Sequence, residues 1–333
     1  MNQEVRFTRS GPSLDRILTL ELVRVTERAA VAAARYRGRG DEAAADQAAV
    51  NAMRGELNRL AIDGTVVIGE GERDEAPMLY IGERVGTRLG PKVDIALDPL
   101  EGTTICARNL PNALAVVAIA ETGNLLNAPD LYMDKIAIGP GYAPDLVDLD
   151  LPPAENIRRL AGAKGVPISE ITACVLDRPR HQKLIEELRA VGAAIRLIGD
   201  GDVAGVIHTA EPDDTGIDIY LGTGGAPEGV LAAAALRCTG GQMQGRLVIA
   251  NDDQRRRAEH MGGGGDVTRK LTLTDMANGD VLFAATGVTD GNLLSGVQFG
   301  RRSINTHTVV MRAATGTVRW IRAEHQDFDK FDD

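Results

Sequence analysis

Apolar residues recur at helical spacing through the first 60 residues of the chain. Segment 14–37 carries leucine, isoleucine and valine and then an alanine-rich stretch, which predicts one amphipathic helix. The sequence GRGD at 38–41 predicts a turn before a second helix over about 44–60. Short apolar runs bounded by Gly, Pro and Asp predict the buried strands TVVIG, DIALD, ALAVVAIA and KIAIGP.

Strand and helix patterns alternate more regularly in the second half of the chain. The strands are ITACVLD, AIRLIG and IDIYLG, and the helices between and after them are HQKLIEELRAVG, VAGVIHTA and APEGVLAAAALRC. This alternation predicts an α/β fold with a mainly parallel sheet. The charge-rich run DDQRRRAEH and the following MGGGG, at 252–265, predict a mobile surface loop.

A proline-rich segment suggests where the chain divides. Five prolines fall within 140–168, which indicates a seam between two lobes with a boundary near residue 160. We therefore expect an N-terminal extension over 1–13, an N-terminal lobe over 14–160 and a C-terminal lobe over 161–333.

Charge and aromatic content narrow the class of ligand. The 333 residues include 37 basic and 47 acidic side chains, a formal net charge of −10, and 3% are aromatic. A net-acidic surface repels nucleic acid and anionic membranes, and so few rings do not build a base-stacking platform. No nucleic-acid or membrane partner is expected, and small-molecule chemistry is favoured.

Cysteine and histidine usage gives no support for three features that these residues commonly form. The three cysteines lack CxxC spacing, and no two of the five histidines are four residues apart. A disulfide framework, a zinc ribbon and an HExxH helix are therefore unsupported, so any metal is expected to use oxygen ligands. The N-terminal residues lack a secretory pattern, and we expect a cytoplasmic protein.

Acidic side chains follow two of the predicted strands. GEGERDE follows TVVI and carries Glu70, Glu72, Asp74 and Glu75. DPLEGT places Asp98 and Glu101 at the end of DIAL. Both groups lie at strand ends, where open α/β sheets bind ligands. Gathered carboxylates repel one another unless a cation neutralises them. The pattern favours a divalent metal site for Mg²⁺ or Mn²⁺, although GEGERDE alone is equally consistent with a solvated loop.

Two further acidic residues stay ambiguous at this point. Asp46 lies in the alanine-rich second helix, where an acidic residue is more often solvated than a ligand. Glu228 lies within GTGGAPEGV, whose glycines lead into a helix that begins near Pro227 and Glu228, and there it could reach a metal or complement the helix dipole.

Two loops in the second half suggest substrate recognition. DRPRH supplies Arg178, Arg180 and His181, which could grip an anionic group or could instead cap the next helix. GDGDVA matches a dinucleotide fingerprint in pattern, but Asp200 and Asp202 would repel a pyrophosphate and suit sugar hydroxyls better. Neither a GxxxxGK[ST] phosphate loop nor a GxSxG nucleophile motif is present.

Taken together, these motifs resemble the class II fructose-1,6-bisphosphatases of bacteria, including cyanobacterial enzymes that also accept sedoheptulose 1,7-bisphosphate. The resemblance spans nearly the whole chain, and DPLEGT is also similar to the DPxDGT signature of the lithium-sensitive sugar phosphatases. The segments that carry the resemblance to the bacterial enzymes are AADQAAVNAMR, VVIGEGERDEAPMLYIGE, DIALDPLEGT, NALAV, APDLYMDK, VLDRPRH, GDGDVA and GGAPEGV.

The resemblance implies a layered α-β-α-β-α fold with two lobes and the active site between them. It implies metal-dependent hydrolysis of the 1-phosphate of fructose 1,6-bisphosphate, in gluconeogenesis or the Calvin cycle, by a homodimer or homotetramer. The implied ligands of Mn²⁺ or Mg²⁺ are Asp46, Glu70, Asp98, Glu101 and Glu228. The implied catalytic residues are Thr103, Asp98 and Glu228. The implied substrate contacts are Glu101, Gly102, Thr103, Tyr132, Arg178, Pro179, Arg180, Asp200, Gly201, Asp202 and Gly225.

Several positions depart from the family pattern. Glu42, Ala43 and Ala44 stand in GDEAAAD where many relatives read GDKNTAD, so a positive charge near Asp46 becomes negative. Thr104 replaces Arg or Asn, and Thr223 replaces an aliphatic residue. The departures keep two alternatives open beside the bisphosphatase: a catalytically weak sugar-phosphate-binding relative and a dinucleotide-binding oxidoreductase that uses GDGDVA.

Overall fold

The computed structural model describes residues 14, 17–71, 77–261 and 265–332. The chain is an α/β protein, and the predicted N-terminal extension 1–13 lies outside the described residues. The described α-helices are α1 Leu18–Ala34, α2 Glu42–Leu57, α3 Thr103–Ala107, α4 Pro153–Lys164, α5 Gln182–Val191, α6 Asp202–Ile207, α7 Pro212–Thr215, α8 Ala226–Thr239, α9 Asp252–Met261 and α10 Leu273–Met276.

The strands form two mixed sheets. They are β1 Asp63–Ile68, β2 Arg84–Val85, β3 Lys92–Glu101, β4 Leu114–Glu121, β5 Tyr132–Ile138, β6 Thr172–Leu176, β7 Ala194–Ile198, β8 Ile219–Gly225, β9 Gln242–Leu247, β10 Leu271–Thr272, β11 Val281–Gly287, β12 Gln298–Phe299, β13 Ile304–Arg312 and β14 Thr317–His325. Short 3₁₀ helices occur at Ile168–Glu170, Pro179–His181, His208–Ala210, Ala313–Thr315 and Asp329–Phe331.

The chain divides into two compact units. The central unit is Leu126–Asn278, and the terminal unit combines the described residues up to Leu125 with those from Gly279 onward. The proline-rich segment 140–168 and the expected boundary near residue 160 lie inside the central unit, and α4 falls within that segment. The last 55 residues return to the terminal unit because β11, β13 and β14 extend its sheet.

The terminal unit is built on an eight-stranded sheet. Its order is β12-β13-β11-β4-β3-β1-β2, with β14 also paired to β13. Strand β1 runs parallel to β3, and the other pairs are antiparallel. Helix α1 packs on β3, β4, β11 and β13, and α2 packs on α1 and β3. This packing buries thirteen of the 17 residues of α1, whereas Leu20, one of the apolar residues of the predicted helix, stays exposed.

The central unit is built on a six-stranded sheet in the order β10-β9-β5-β8-β6-β7. Only β6–β7 and β6–β8 are parallel pairs in this sheet. Ile136 and Ile138 of β5 share an apolar cluster with α4 and α5, whereas Gly229 of α8 lies against Met133 and Lys135. Because alternate strand residues face opposite sides, helices cover both faces of this sheet.

The predicted elements compare with the observed ones as follows. The two N-terminal helices, the strands and the alternating helices of the second half are present at the predicted places. The prediction of a mainly parallel sheet is wrong, because β5, β9 and β10 enter it antiparallel. The charged run from Asp252 to Met261 is a helix rather than a loop; Ala258 is its one buried residue. Residues 262–264 of MGGGG lie outside the described residues.

None of the helices in the described part of the chain combines the length and apolarity needed to cross a bilayer.

Candidate active site

Asp98 and Glu101 come together at a bulge near the end of β3. In a regular strand, residues three apart point to opposite faces. Here the register with β4 shifts between Asp98 and Glu101, at the position of Pro99, which has no N–H to donate. The Leu100 N–H donates to Asp98 Oδ1 at 3.0 Å and fixes that carboxylate. As a result, Asp98 and Glu101 each present a carboxylate oxygen within 4.8 Å of the other.

Two other carboxylates of the terminal unit are electrostatically coupled to Asp98. Burial first, and then the Asp98 and Asp46 carboxylates, raises the pKa of Glu70 to about 8. Burial and the Asp98 carboxylate raise the pKa of Asp46 to about 6. Helix α2 carries Asp46 against β3, and the Glu70 N–H donates to the Leu79 carbonyl at 3.1 Å just after β1. The fold therefore gathers negative charge at this place.

A tight turn carries the chain from β3 into α3. Gly102 has φ +89° and is the N-cap of α3, a left-handed conformation that a side chain would strain. Thr103 is the first residue of the helix, and Thr104 follows it; both are partly exposed. The tight turn at Gly102 is the one that DPLEGT predicted, and it starts α3 at Thr103.

Glu228 belongs to the central unit, in the first turn of α8. Strand β8 runs directly into this helix at Gly225. A Cβ added to Gly225 would lie 1.9 Å from Glu228 Oε2, so only glycine lets the carboxylate fold back over the backbone. Pro227 occupies the start of the helix, where its missing N–H costs nothing.

The basic residues of DRPRH point toward polar partners of the central unit. Arg180 donates from Nε and Nη2 to the Thr223 carbonyl at 3.0 and 2.9 Å. Its guanidinium carbon lies 4.7 Å from the centre of the Tyr132 ring, a cation–π contact. Arg178 approaches Asp200 at 3.5 Å, with both side chains partly exposed. Tyr132 and Arg180, predicted as substrate contacts, are thus neighbours.

Asp202 is the first residue of α6 and is held by a buried lysine. Lys135 Nζ lies 2.5 Å from Asp202 Oδ2, and the Tyr220 hydroxyl donates to the same oxygen at 3.4 Å. A Cβ on Gly224 would lie 2.0 Å from that oxygen, so the second glycine of GTGG makes room for the pair. Gly201, with φ +80°, is the N-cap that turns the loop into α6.

Sequence reasoning gave no role in the site to three of these side chains, although it noted Thr223 as a departure from the family pattern. Lys135, Tyr220 and Thr223 connect residues from separate motifs, and no spacing along the chain signals that they meet. Lys135 offered the best clue, because it is the one charged residue within the apolar run KIAIGP. Pro179 begins the 3₁₀ turn that carries Arg180. Glu72, Asp74 and Glu75 lie outside the described residues.

The predicted site residues fall into two groups, one on each unit. The terminal unit holds Asp46, Glu70, Asp98, Glu101, Gly102 and Thr103, at the ends of β1 and β3 and on α2 and α3. The central unit holds Tyr132, Arg178, Pro179, Arg180, Asp200, Gly201, Asp202, Gly225 and Glu228.

Comparison with known proteins identifies a family that the chain matches. Residues 16–325 match the family model described as bacterial fructose-1,6-bisphosphatase, glpX-encoded. The chain is 48% identical over 322 residues to fructose-1,6-bisphosphatase 1 class 2 of Escherichia coli strain K12, covering 93% of this chain and 95% of that protein. Fructose-1,6-bisphosphatases class 2 of Escherichia coli O6:H1 and Shigella flexneri match with the same identity and coverage.

Proposed function

The chain belongs to the glpX-encoded family of bacterial fructose-1,6-bisphosphatases, and from this premise we propose that it hydrolyses fructose 1,6-bisphosphate to fructose 6-phosphate and phosphate. The reaction is a phosphoric monoester hydrolysis: a bond forms between water oxygen and phosphorus, and the bond from phosphorus to the sugar oxygen breaks. The water proton ends on the departing sugar oxygen. The observation that carries the proposal is the group of coupled carboxylates at the ends of β1 and β3.

The donor set suits a hard divalent cation. Asp46 and Glu70 are held at raised pKa by burial and by neighbouring carboxylates, a penalty that a bound cation would relieve. Asp98 and Glu101 add two more oxygens within reach of one another. We assign the metal to Asp46, Glu70, Asp98, Glu101 and Glu228. When bound, Mg²⁺ or Mn²⁺ supplies charge neutralisation at phosphorus and lowers the pKa of a water ligand.

Three residues of this set act closest to the reacting phosphate. We assign Asp98 and Glu228 to binding the cation that would neutralise the reacting phosphate, because a carboxylate alone repels a phosphate and each of these carboxylates is fixed by its own loop. The Thr103 hydroxyl, set at the first turn of α3, orients the attacking water or the leaving oxygen. We assign Glu101 and Gly102 to the part of the site that lies next to the 1-phosphate.

The central unit supplies recognition of the rest of the substrate. Arg178 and Arg180 bind the 6-phosphate, because guanidinium groups match phosphate oxygens in charge and shape. Asp200 and Asp202 accept hydrogen bonds from sugar hydroxyls, with Gly201 between them keeping the loop tight. Tyr132 and Gly225 lie beside this region, and Pro179 fixes the turn. Binding energy from this end holds the 1-phosphate in position for reaction.

The test is phosphate release from fructose 1,6-bisphosphate with Mn²⁺ or Mg²⁺ and again after chelation. Release that stops on chelation and returns with the cation is the expected result. Sedoheptulose 1,7-bisphosphate and inositol monophosphate run in parallel rank the substrates, and the heptulose bisphosphate is expected to react because it presents the same reacting end. Release that continues unchanged in chelator, or none from folded, metal-loaded protein, would contradict the proposal.

The same family resemblance supports a homodimer or homotetramer that works in the cytoplasm. Light scattering of the purified chain measures the first property, and fractionation of cells that express it measures the second.

A further inference from the structure

Thr223 of β8 connects three elements of the central unit: β8 itself, the 3₁₀ turn Pro179–His181 and β5. Its carbonyl accepts both bonds from Arg180, its N–H donates to His181 Nε2 at 2.8 Å, and its hydroxyl donates to Asp134 Oδ1 at 2.5 Å. Arg180 in turn lies over Tyr132. The guanidinium is therefore fixed from its Nε edge and from one face, leaving Nη1 for a phosphate oxygen.

His181 controls the orientation of the Thr223 peptide group. The ring is 3% exposed, and its Nδ1 lies 2.7 Å from the Leu176 carbonyl, which can only accept. Nδ1 therefore carries the proton, and Nε2 accepts from Thr223. A Cβ on Gly222 would lie 3.1 Å from Nε2, so glycine at this position, with φ +150°, lets the backbone approach the ring.

We propose that His181 is a positioning residue that sets the affinity of Arg180 for the phosphate distal to the reacting one. Its neutral ring holds the Thr223 amide, and this fixes the carbonyl on the opposite side of the same residue against Arg180. The proposal rests on the proposed function, because it assigns the distal phosphate to Arg180. It predicts that His181 determines how strongly the enzyme prefers a bisphosphate to a monophosphate.

The charges around the ring favour its neutral form. Burial lowers the pKa of His181, and the Arg180 and Arg178 guanidinium groups lower it further, whereas the Leu176 carbonyl and Asp134 act in the opposite direction. Lys183 and Glu187 of α5 and Lys135 of β5 line the same cleft of about 330 Å³. If Nε2 takes up a proton, it becomes a hydrogen-bond donor and can no longer accept from the Thr223 N–H. We therefore expect the preference for the bisphosphate to fall in acid.

The experiment compares fructose 1,6-bisphosphate with fructose 1-phosphate, which lacks the distal phosphate. In His181→Phe, KM for the bisphosphate is expected to rise about tenfold with kcat unchanged, while KM for fructose 1-phosphate stays the same. His181→Gln places an amide oxygen near the position of Nε2 and should restore much of the loss. A merely structural histidine would lower kcat for both substrates equally and leave the ratio of their KM values unchanged.

A matched control comes from His208, a second buried histidine of the central unit. Burial lowers its pKa to about 4, and within the described part of the chain neither of its ring nitrogens has a hydrogen-bond partner. His208→Phe should leave the KM ratio unchanged. If His181→Phe does not fold, the His181→Gln variant measured from pH 5 to 8 carries the test: the preference for the bisphosphate should lose its fall in acid. An unchanged KM ratio in folded His181→Phe, or a preference of His181→Gln that still falls in acid, overturns the inference, whereas absence of metal-dependent turnover in the unmodified protein overturns the proposed function itself.

Discussion

The acidic residues of the two units stand in opposite electrostatic settings. In the terminal unit, the influences that shift Asp46 and Glu70 are burial and other carboxylates, and all of them raise the pKa. In the central unit, Asp202 is 5% exposed and more deeply buried than the partly exposed Asp46 and Glu70, but it lies against the Lys135 ammonium. Asp200 likewise lies near Arg178. One region gathers like charges, and the other pairs opposite charges.

This difference separates two roles for a buried carboxylate. A paired carboxylate is neutralised by its own chain and stays ionised for hydrogen bonding to a neutral hydroxyl. Carboxylates that lie close together repel one another, and a bound cation relieves this repulsion. The relieved repulsion therefore adds to the affinity for the cation. We infer that the terminal unit supplies the chemistry and the central unit supplies recognition.

The largest effect is expected at Asp98. Asp98→Asn keeps the size of the side chain and the bond from Leu100 but removes the charge that couples to Asp46 and Glu70. Phosphate release should fall about 1,000-fold, because charge stabilisation at the reacting phosphate is lost. The thermal midpoint of the metal-free protein should stay the same or rise, since one repulsive charge is gone. Turnover near that of the unmodified enzyme would contradict the inference that the terminal unit supplies the chemistry.

The matched control for that variant is Glu155→Gln. Glu155 is an acidic residue in the first turn of α4, half exposed and paired with Arg159 on the helix surface. The Glu155→Gln variant should retain full turnover. This result would show that the loss in Asp98→Asn comes from that specific carboxylate and not from the removal of any negative charge.

The second effect concerns the stability of the central unit. Lys135→Met leaves Asp202 buried without its ammonium partner, which should lower the free energy of unfolding by about 3 kcal/mol. Lys164→Met breaks the more exposed pair with Asp218 and should cost about 1 kcal/mol. Adding Asp202→Asn to Lys135→Met should restore most of the stability but not the affinity for substrate. Urea unfolding and KM measure the two properties, and equal costs for the two lysines would contradict this assignment.

The third effect is a pH dependence confined to the metal-free protein. Glu70 and Asp46 have folded-state pKa values of about 8 and about 6, raised from 4.5 and 3.8. Their protonation therefore favours the folded state below about pH 4, and this stabilisation is lost as pH rises toward 8. The thermal midpoint in chelator should fall by about 5 °C over this range, and Mn²⁺ should reverse the fall. Glu70→Gln should flatten the profile; a profile that is already flat in chelator would contradict the coupling.

Local sequence patterns predicted most elements because their apolar spacing and turn residues act over a few positions. The run DIALDPLEGT is the clearest case: the apolar part forms β3, Pro99 coincides with the register shift, and Gly102 takes the left-handed turn. Strand direction in the central sheet was mispredicted, because β5 and β9 pair with each other and β5 pairs with β8 through contacts that no local pattern reveals.

The candidate site shows the same limit. Asp98 and Glu101 could be proposed from one short motif, whereas Asp46 was ambiguous because an acidic residue in an alanine-rich helix is usually solvated. Its place against β3 comes from the packing of α2, which depends on the whole terminal unit. Lys135 was missed, and the contacts of Thr223 were not foreseen, for a related reason: each acts on residues of other motifs.

The smallest effect tests the departure at Glu42, which begins α2 one helical turn before Asp46. The two acidic residues are spaced i, i+4 and share a helix face, but Glu42 is exposed and its charge is screened by water and salt. Glu42→Lys should therefore raise the metal concentration for half-maximal turnover by less than about threefold and lower KM for the anionic substrate by a similar factor. Both shifts should shrink as the salt concentration rises. A much larger shift that persists in salt would mean that this position belongs to the gathered-charge region itself, and that the family's usual lysine has been replaced at a cost to activity.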